Sequence, residues 1–166
     1  MKPLQLLPIL TEPQNQRLLA AAIYFRRAVW LIEVGSGPSD FAGEAVVNLA
    51  KVLEALFGGD SRDEMRTGLH KCGYDDGIIE SVFISVAVLR SKLDAAHVRL
   101  AALNGDERRQ LQVFLDGVLG YFRELLAKLV GDVESGQIVL PSYEMNREDD
   151  DELAILISGL SLPLKK

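Results

Sequence analysis

Cysteine and histidine are scarce in this chain of 166 residues, which contains one cysteine and two histidines. A lone Cys72 cannot close an internal disulfide, which excludes a disulfide-stapled scaffold and predicts a reducing, cytoplasmic location. A metal site needs three or four converging ligands. His70 and Cys72 are two residues apart on a predicted helix and therefore point to opposite sides of it. The sequence predicts no bound metal and no other cofactor.

Long uncharged stretches are also missing, although the mean hydropathy of +0.13 is high. No run of 18 or more residues lacks a charge, so we expect no membrane span. The formal net charge is −6 and no stripe of lysine and arginine is present, which argues against broad non-specific binding to nucleic acid. Glycine-rich phosphate loops, Gly-x-Ser-x-Gly elbows and Glu-x-x-His pairs are absent, which excludes those enzyme patterns.

What the sequence does contain is apolar residues at helical spacing. Apolar types make up 48% of the chain and charged types 25%, the composition of a folded globular domain. Apolar residues recur every three or four positions through four long segments, which predicts amphipathic helices. These helices are predicted from Thr11 to the turn at Gly35, from Ser39 or Asp40 to Phe57, from Asp75 or Asp76 to His97, and from Asp106 to Gly131.

The predicted fold is all-α, an up-and-down bundle of these four helices with a short helical insert at residues 61–72. Short loops between long helices favour antiparallel neighbours, which is the reason for this topology. Residues 1–141 form the helical bundle domain, and residues 142–166 form an acidic tail in which a weak pattern indicates a short helix. Any extended piece is confined to Gln137–Leu140. The aromatic residues Tyr24, Phe25 and Trp30 lie in an apolar segment and are expected in the core.

One group of polar residues combines the types that phosphate chemistry uses. Arg90, Asp94 and His97 are four and three positions apart, so they share one face of the predicted helix. A guanidinium is a planar, permanently charged partner for phosphate oxygens. A carboxylate beside an imidazole favours its charged form and fixes the ring. The alternative is an ordinary surface ion pair, worth about 0.3–0.5 kcal/mol, near a histidine at a helix end.

The segment from Leu89 to His97, Leu-Arg-Ser-Lys-Leu-Asp-Ala-Ala-His, resembles the signature of HEPN domains (higher eukaryote and prokaryote nucleotide-binding). That signature is an arginine followed, after four to six residues, by a histidine late in a bundle helix. The segment from Asn48 to Gly58, which ends in Leu-Glu-Ala-Leu-Phe-Gly, is similar to a helix found in several members. The resemblance implies an all-helical body over residues 11–135.

The resemblance also implies an activity. Active HEPN domains are metal-independent endoribonucleases in which two protomers form one composite cleft, and some act in bacterial toxin–antitoxin or antiviral defence systems. In such a cleft His97 transfers a proton as the 2′-hydroxyl attacks the phosphate, and Arg90 stabilises the developing charge. Asp94 orients His97, and Ser91 donates a hydrogen bond to the phosphate. The implied partners are RNA, single-stranded or in loops, and an antitoxin or defence protein.

Two questions stay open from the sequence alone. Ser91 stands where active members usually have Asn, Asp or His, so a non-catalytic module that binds RNA or a protein is an alternative to a ribonuclease. A helical scaffold in which Arg90, Asp94 and His97 form a structural salt bridge is the third hypothesis. The high apolar content predicts a symmetric homodimer with the fourth helix at or near the two-fold axis.

Overall fold

Helices account for all the regular structure in the described part of the chain. The computed structural model describes residues 12–34, 41–59, 61–93 and 103–140. Within these ranges there are five helices and no strand, so the predicted all-α class is confirmed. The helices are α1 (Gln16–Val34, after a 3-10 turn at Pro13–Asn15), α2 (Ala42–Phe57), α3 (Arg62–Lys71), α4 (Asp76–Ile78, Ile79–Ile84 and Ser85–Leu93) and α5 (Gly105–Glu134).

Several predictions fall on residues outside these ranges. The predicted cap at Thr11, the turn at Gly35 and the acidic tail at residues 142–166 lie outside the described residues. Asp94 and His97 lie outside them as well, beyond the last described turn of α4. Gln137–Leu140 is described, and it contains no strand.

One apolar core is shared by all five helices. The hydrogen bond from Arg17 Nη1 to the carbonyl of Ala55 is 3.3 Å long and places the start of α1 beside the end of α2, so these two helices run antiparallel. Each helix contributes side chains with almost no exposure to solvent. The largest of these are Leu18, Leu49, Leu53, Leu56, Met65, Leu69, Ile79, Phe83, Leu115, Phe122, Leu125 and Leu129.

Polar side chains cap the starts of three helices, and a glycine ends α2. Gly58 has a φ of 93° and closes α2, because this left-handed conformation is strained for other residues. The side chains of Ser61 and Asp75 accept hydrogen bonds from the first turns of α3 and α4. The α5 cap is a correction: Asn104 caps this helix, in a reciprocal capping box with Glu107, in place of the predicted Asp106.

A π-helical segment at Ile79–Ile84 changes the predicted face of α4. Its hydrogen bonds span five residues, so the helix turns less per residue there than in an α-helix. Val82, Phe83 and Ile84 are consequently all buried. The 3.6-residue spacing predicts Phe83 on the Arg90 side of the helix and outside the core stripe. In the structure Phe83 has no exposure at all, and its ring packs 5.2 Å from that of Phe122.

The aromatic residues of α1 divide between the core and the surface. Tyr24 and Phe25 are partly buried against the core, as predicted. Trp30 is 57% exposed and Ile23 is 45% exposed, so the prediction that Trp30 lies in the core is wrong. The reason is that α1 is apolar over more of its circumference than its neighbours cover. No helix in the described ranges is both long and apolar enough to cross a membrane.

Candidate functional site

Arg90 lies in the last described turn of α4 and is held against α2. Its Nη1 donates to Oε1 of Glu54 at 2.6 Å, a short charge-assisted contact between the two helices. The side chains are 30% and 22% exposed, so the pair is half-buried. Arg90 Nε is buried and has no hydrogen-bond partner. One edge of the guanidinium is therefore fixed by α2, while part of the group still meets solvent.

Glu54 is the residue that sequence reasoning missed. It lies within the segment Asn48 to Gly58, on the helix that carries the apolar stripe of α2. Its partner Arg90 is 36 positions further along the chain. Spacing within one helix identifies partners only on that helix. The available signal is a charged residue near the end of an apolar helix, and this signal does not identify the residue that Glu54 contacts.

Ser91 brings a second guanidinium to the same end of α4. Its hydroxyl donates to the carbonyl of Ala87 at 3.1 Å and accepts from Arg62 Nη2 at 3.4 Å. Arg62 is the first residue of α3 and is exposed, and Lys92, the residue after Ser91, is exposed too. The end of α4 therefore gathers three basic side chains in a protein whose overall charge is −6. A local positive site of this kind attracts phosphate groups.

The structure describes two of the four predicted site residues. Arg90 and Ser91 are consecutive on α4, and both make contacts to neighbouring elements. The positions of Asp94 and His97 relative to them stay predictions. Among the described residues no group of three or more His, Cys, Asp or Glu side chains could hold a metal ion.

Other described titratable groups near α3 and α4 lie in exposed ion pairs or in the apolar core. His70 Nε2 contacts Asp76 Oδ1 at 3.1 Å in an exposed pair between α3 and the start of α4. Cys72 is buried, and burial raises the pKa of its thiol, which keeps it in the unreactive protonated form. Burial also raises the pKa of Tyr74 to about 12. A cavity of about 700 Å³ near Cys72 is lined mostly by apolar residues, and its polar side chains, such as Asp63, Thr67 and Lys71, include both charge signs.

Comparisons with known proteins give no relative for this chain. No protein-family model matches it, and neither a curated protein nor a solved structure matches it. Its function is therefore inferred from the residues at the end of α4 and from the resemblance of the segment Leu89 to His97.

Proposed function

We propose that this chain is a HEPN-like domain that binds RNA at the end of α4 and cleaves it without a metal ion. The observation that supports this most is the fixed guanidinium of Arg90. Glu54 holds its Nη1 at 2.6 Å and its Nε is buried, while the side chain keeps 30% of its surface exposed and so accessible to phosphate oxygens. A group that is already held in place loses little conformational freedom when it binds its ligand.

The proposed chemistry assigns one role to each residue. His97 moves the proton of the attacking 2′-hydroxyl, and Asp94 orients its ring. Arg90 stabilises the charge that develops on the phosphate oxygens. Ser91 donates to the phosphate only after its hydroxyl leaves the carbonyl of Ala87, with which it is bonded in the free protein. Arg62, which contacts Ser91, supplies a further cation for the RNA backbone.

The proposal includes the wider arrangement of the molecule. The four long helices form an up-and-down bundle, which the antiparallel contact between α1 and α2 supports. Two copies meet with α4 near the two-fold axis and form one composite cleft. Residues 142–166 are an acidic tail of this domain. The protein acts in the cytoplasm, in a toxin–antitoxin or antiviral defence system, with an antitoxin or defence protein as a further partner.

Substitution of the two histidines tests the cleavage step. His97→Ala should reduce cleavage of single-stranded RNA about 10²–10⁴-fold, because the acid–base group is lost. His70→Ala is the matched control and should leave cleavage unchanged, since the His70 side chain pairs with Asp76 on the surface, away from Arg90. EDTA should have no effect. Cleavage that survives His97→Ala, or intact RNA with the wild-type protein, would contradict the ribonuclease proposal.

Two variants that break the same ion pair test the role of Arg90. Arg90→Gln and Glu54→Gln both remove the contact between α4 and α2, so a purely structural pair predicts similar effects of both on stability and on RNA binding. The proposal predicts that Arg90→Gln weakens RNA binding much more than Glu54→Gln does, because Glu54→Gln loses only the positioning of the cation and keeps the cation itself. Binding is measured by fluorescence anisotropy and stability by thermal unfolding. Equal loss of RNA binding in both variants would contradict the proposal.

A non-catalytic interaction module or scaffold is the second candidate. The half-buried pair between Arg90 and Glu54 favours it, because this contact joins two helices of the core whatever the ligand. Breaking such a pair by removing one partner leaves an uncompensated charge and destabilises the protein. A wild-type protein that neither binds nor cleaves RNA, with Arg90→Gln and Glu54→Gln destabilised alike, would support this second candidate.

A further inference from the structure

A groove between α1 and α2 opens beside the candidate site. Its volume is about 520 Å³, within the range of small-molecule sites in proteins. Small residues line one part of it, which leaves room for a flat group; they are Ala20, Ala55, Gly58 and Gly59. The larger lining side chains are those of Arg17 and Tyr24 from α1, with Lys51 and Glu54 from α2. With Gln16 also in its lining, the groove combines an aromatic ring, two cations, one carboxylate and several small residues.

Each of the two cations of the groove has a contact in the free protein. Arg17 Nη1 donates to the carbonyl of Ala55, one of the carbonyls that the end of α2 leaves without a helical partner. Arg17 Nε is buried and has no hydrogen-bond partner. Lys51 Nζ lies over the ring of Tyr24, 5.5 Å from its centroid, which is the geometry of a cation–π contact. Lys51 therefore lies at the ring of Tyr24, and Arg17 lies at the last turn of α2.

Glu54 connects this groove with Arg90. Its carboxylate lines the groove and also accepts the 2.6 Å contact from Arg90 on α4. The side chain of Glu54 therefore lies between the groove and a ligand bound to Arg90. Each nucleotide of an RNA strand carries a charged phosphate and a base with a flat face. The groove offers Arg17 and Lys51 for the phosphate and Tyr24 for the base, and Arg90 is a third cation beside it.

We propose that the groove between α1 and α2 is a subsite for one unpaired nucleotide of the bound RNA. Lys51 Nζ, which lies over the ring of Tyr24 in the free protein, turns to the phosphate, which then lies between Arg17 and Lys51. The base takes its place beside Tyr24, between the small residues. Stacking on an aromatic ring beside a positively charged groove is the usual way in which proteins bind single strands. The subsite requires an unpaired base, so it selects single-stranded RNA over duplex. It rests on the proposed function, because it extends the RNA site of Arg90.

The test compares two probes that the protein cannot cleave. One is a 2′-O-methyl oligouridylate, which lacks the attacking hydroxyl, and the other is the same backbone with abasic sugars. Wild-type protein should bind the first about tenfold or more tightly than the second, because stacking contributes that much per base. Tyr24→Leu keeps an apolar side chain in place and should remove this preference. Arg90→Gln should weaken binding of both probes.

Lys51 gives a second measurement that does not depend on Tyr24. Lys51→Gln should reduce the slope of log affinity against log salt concentration by about 0.7, the value for one phosphate contact on a single strand. Lys71→Gln is the matched control, since Lys71 is exposed at the far end of α3, and its slope should equal that of wild type. Thermal unfolding checks that each variant is folded.

The outcomes separate the subsite from the proposed function. RNA binding that depends on Arg90, together with an unchanged base preference in Tyr24→Leu and an unchanged salt slope in Lys51→Gln, overturns the subsite and leaves the proposed function standing. A protein that binds uridine monophosphate at the groove but not the oligonucleotide overturns the subsite as part of an RNA site. A protein that binds neither probe overturns both.

Discussion

Arg66 on α3 binds two carboxylates, that of Glu80 in the π-helical segment of α4 and that of Asp63 on its own helix. Its Nε donates to Glu80 Oε1 at 2.6 Å and its Nη2 to Glu80 Oε2 at 3.2 Å, while Nη1 reaches Asp63 at 2.9 Å. A guanidinium that binds a carboxylate with two parallel bonds fixes its orientation as well as its distance. These hydrogen bonds hold the pKa of the Glu80 carboxyl below its usual range.

The Arg66–Glu80 contact should make stability depend on acid. The pKa of a glutamate is about 4.3 in an unfolded chain, and that of Glu80 is lower in the folded protein. The contact therefore stabilises the fold above about pH 4.3, and this contribution is lost as the pH falls through the folded pKa. Arg66→Gln should lower the unfolding temperature at neutral pH, and the difference from wild type should shrink below about pH 4.

The measurement is thermal unfolding across pH, together with an NMR titration of the Glu80 carboxyl. In Arg66→Gln the pKa of Glu80 should return toward its ordinary value. Arg109→Gln, a change at an exposed arginine on α5, is the control and should leave that pKa where it is. An unchanged pKa of Glu80 in Arg66→Gln would contradict the assignment of the shift to this contact.

Site residues that share one helix are easier to identify from the sequence than contacts between residues on two different helices. Arg90 and Ser91 were identified because they stand in a short segment with a recognisable spacing. Glu54 and Arg62, which contact them, come from α2 and α3. Their positions depend on how these helices rotate and slide against α4, and the sequence of each helix fixes its buried stripe but not that register. The aromatic and basic groove between α1 and α2 was missed for the same reason.

At the scale of the helix, α3 approaches α2 at a glycine. A Cβ atom added at Gly68 would lie 2.1 Å from Cδ1 of Phe57, a distance that no real contact allows. Phe57 is partly buried against the core, so its ring has little space to move away. Glycine costs about 1 kcal/mol relative to alanine inside a helix. The close packing of α3 on Phe57 therefore offsets a local disadvantage of Gly68.

Gly68→Ala should destabilise the protein although alanine is the better helix former. We expect a loss of about 1–3 kcal/mol in the free energy of unfolding, as for other overpacked sites. Gly117→Ala is the matched control, because Gly117 lies inside α5 and nothing is within 4 Å of an added Cβ. It should stabilise the protein by up to about 1 kcal/mol. Urea unfolding measures both, and a stabilised Gly68→Ala would show that Phe57 can move aside.

The outcome of periodicity arguments differed between helices. In α5 the predicted stripe is Leu111, Leu115, Val118, Phe122, Leu125 and Leu129, and all six are buried. Apolar and charged residues fall on opposite sides of this helix, so its pattern defines a single buried face. From Ile78 to Leu89, α4 is apolar on nearly every side, and such a pattern has no single phase. The π-helical segment in α4 is therefore not predictable from spacing, and neither is the burial of Phe83, which lies outside the predicted stripe.

At the scale of the whole molecule, the candidate site and the exposed apolar residues of α1 lie apart. The basic side chains Arg62, Arg90 and Lys92 gather where α3 begins and the described part of α4 ends. Trp30 and Ile23 are exposed on α1, and Trp30 is more than three helical turns from Arg17, which adjoins the end of α2. The end of α4 and the exposed face of α1 at Trp30 are therefore two distinct surfaces. A composite ribonuclease site requires that the second copy covers the basic surface.

A homodimer with α4 near its two-fold axis is the last prediction. Sedimentation should show a dimer at micromolar concentrations, and Ser91→Glu should weaken it at least tenfold. Within one copy the new carboxylate lies beside Arg62, so the fold is retained. Across the axis two such carboxylates face each other, and juxtaposed like charges at an interface are strongly unfavourable.

Trp30→Ser is the control for this dimer and should leave it intact, because Trp30 lies on the other surface. Dissociation caused by Trp30→Ser, with Ser91→Glu still dimeric, would place the interface on α1 and separate the two Arg90 sites. In that arrangement each site would have to act within one copy. A wild-type monomer at tens of micromolar would contradict the dimer and the composite cleft together, because a two-copy cleft cannot form from protein that does not associate.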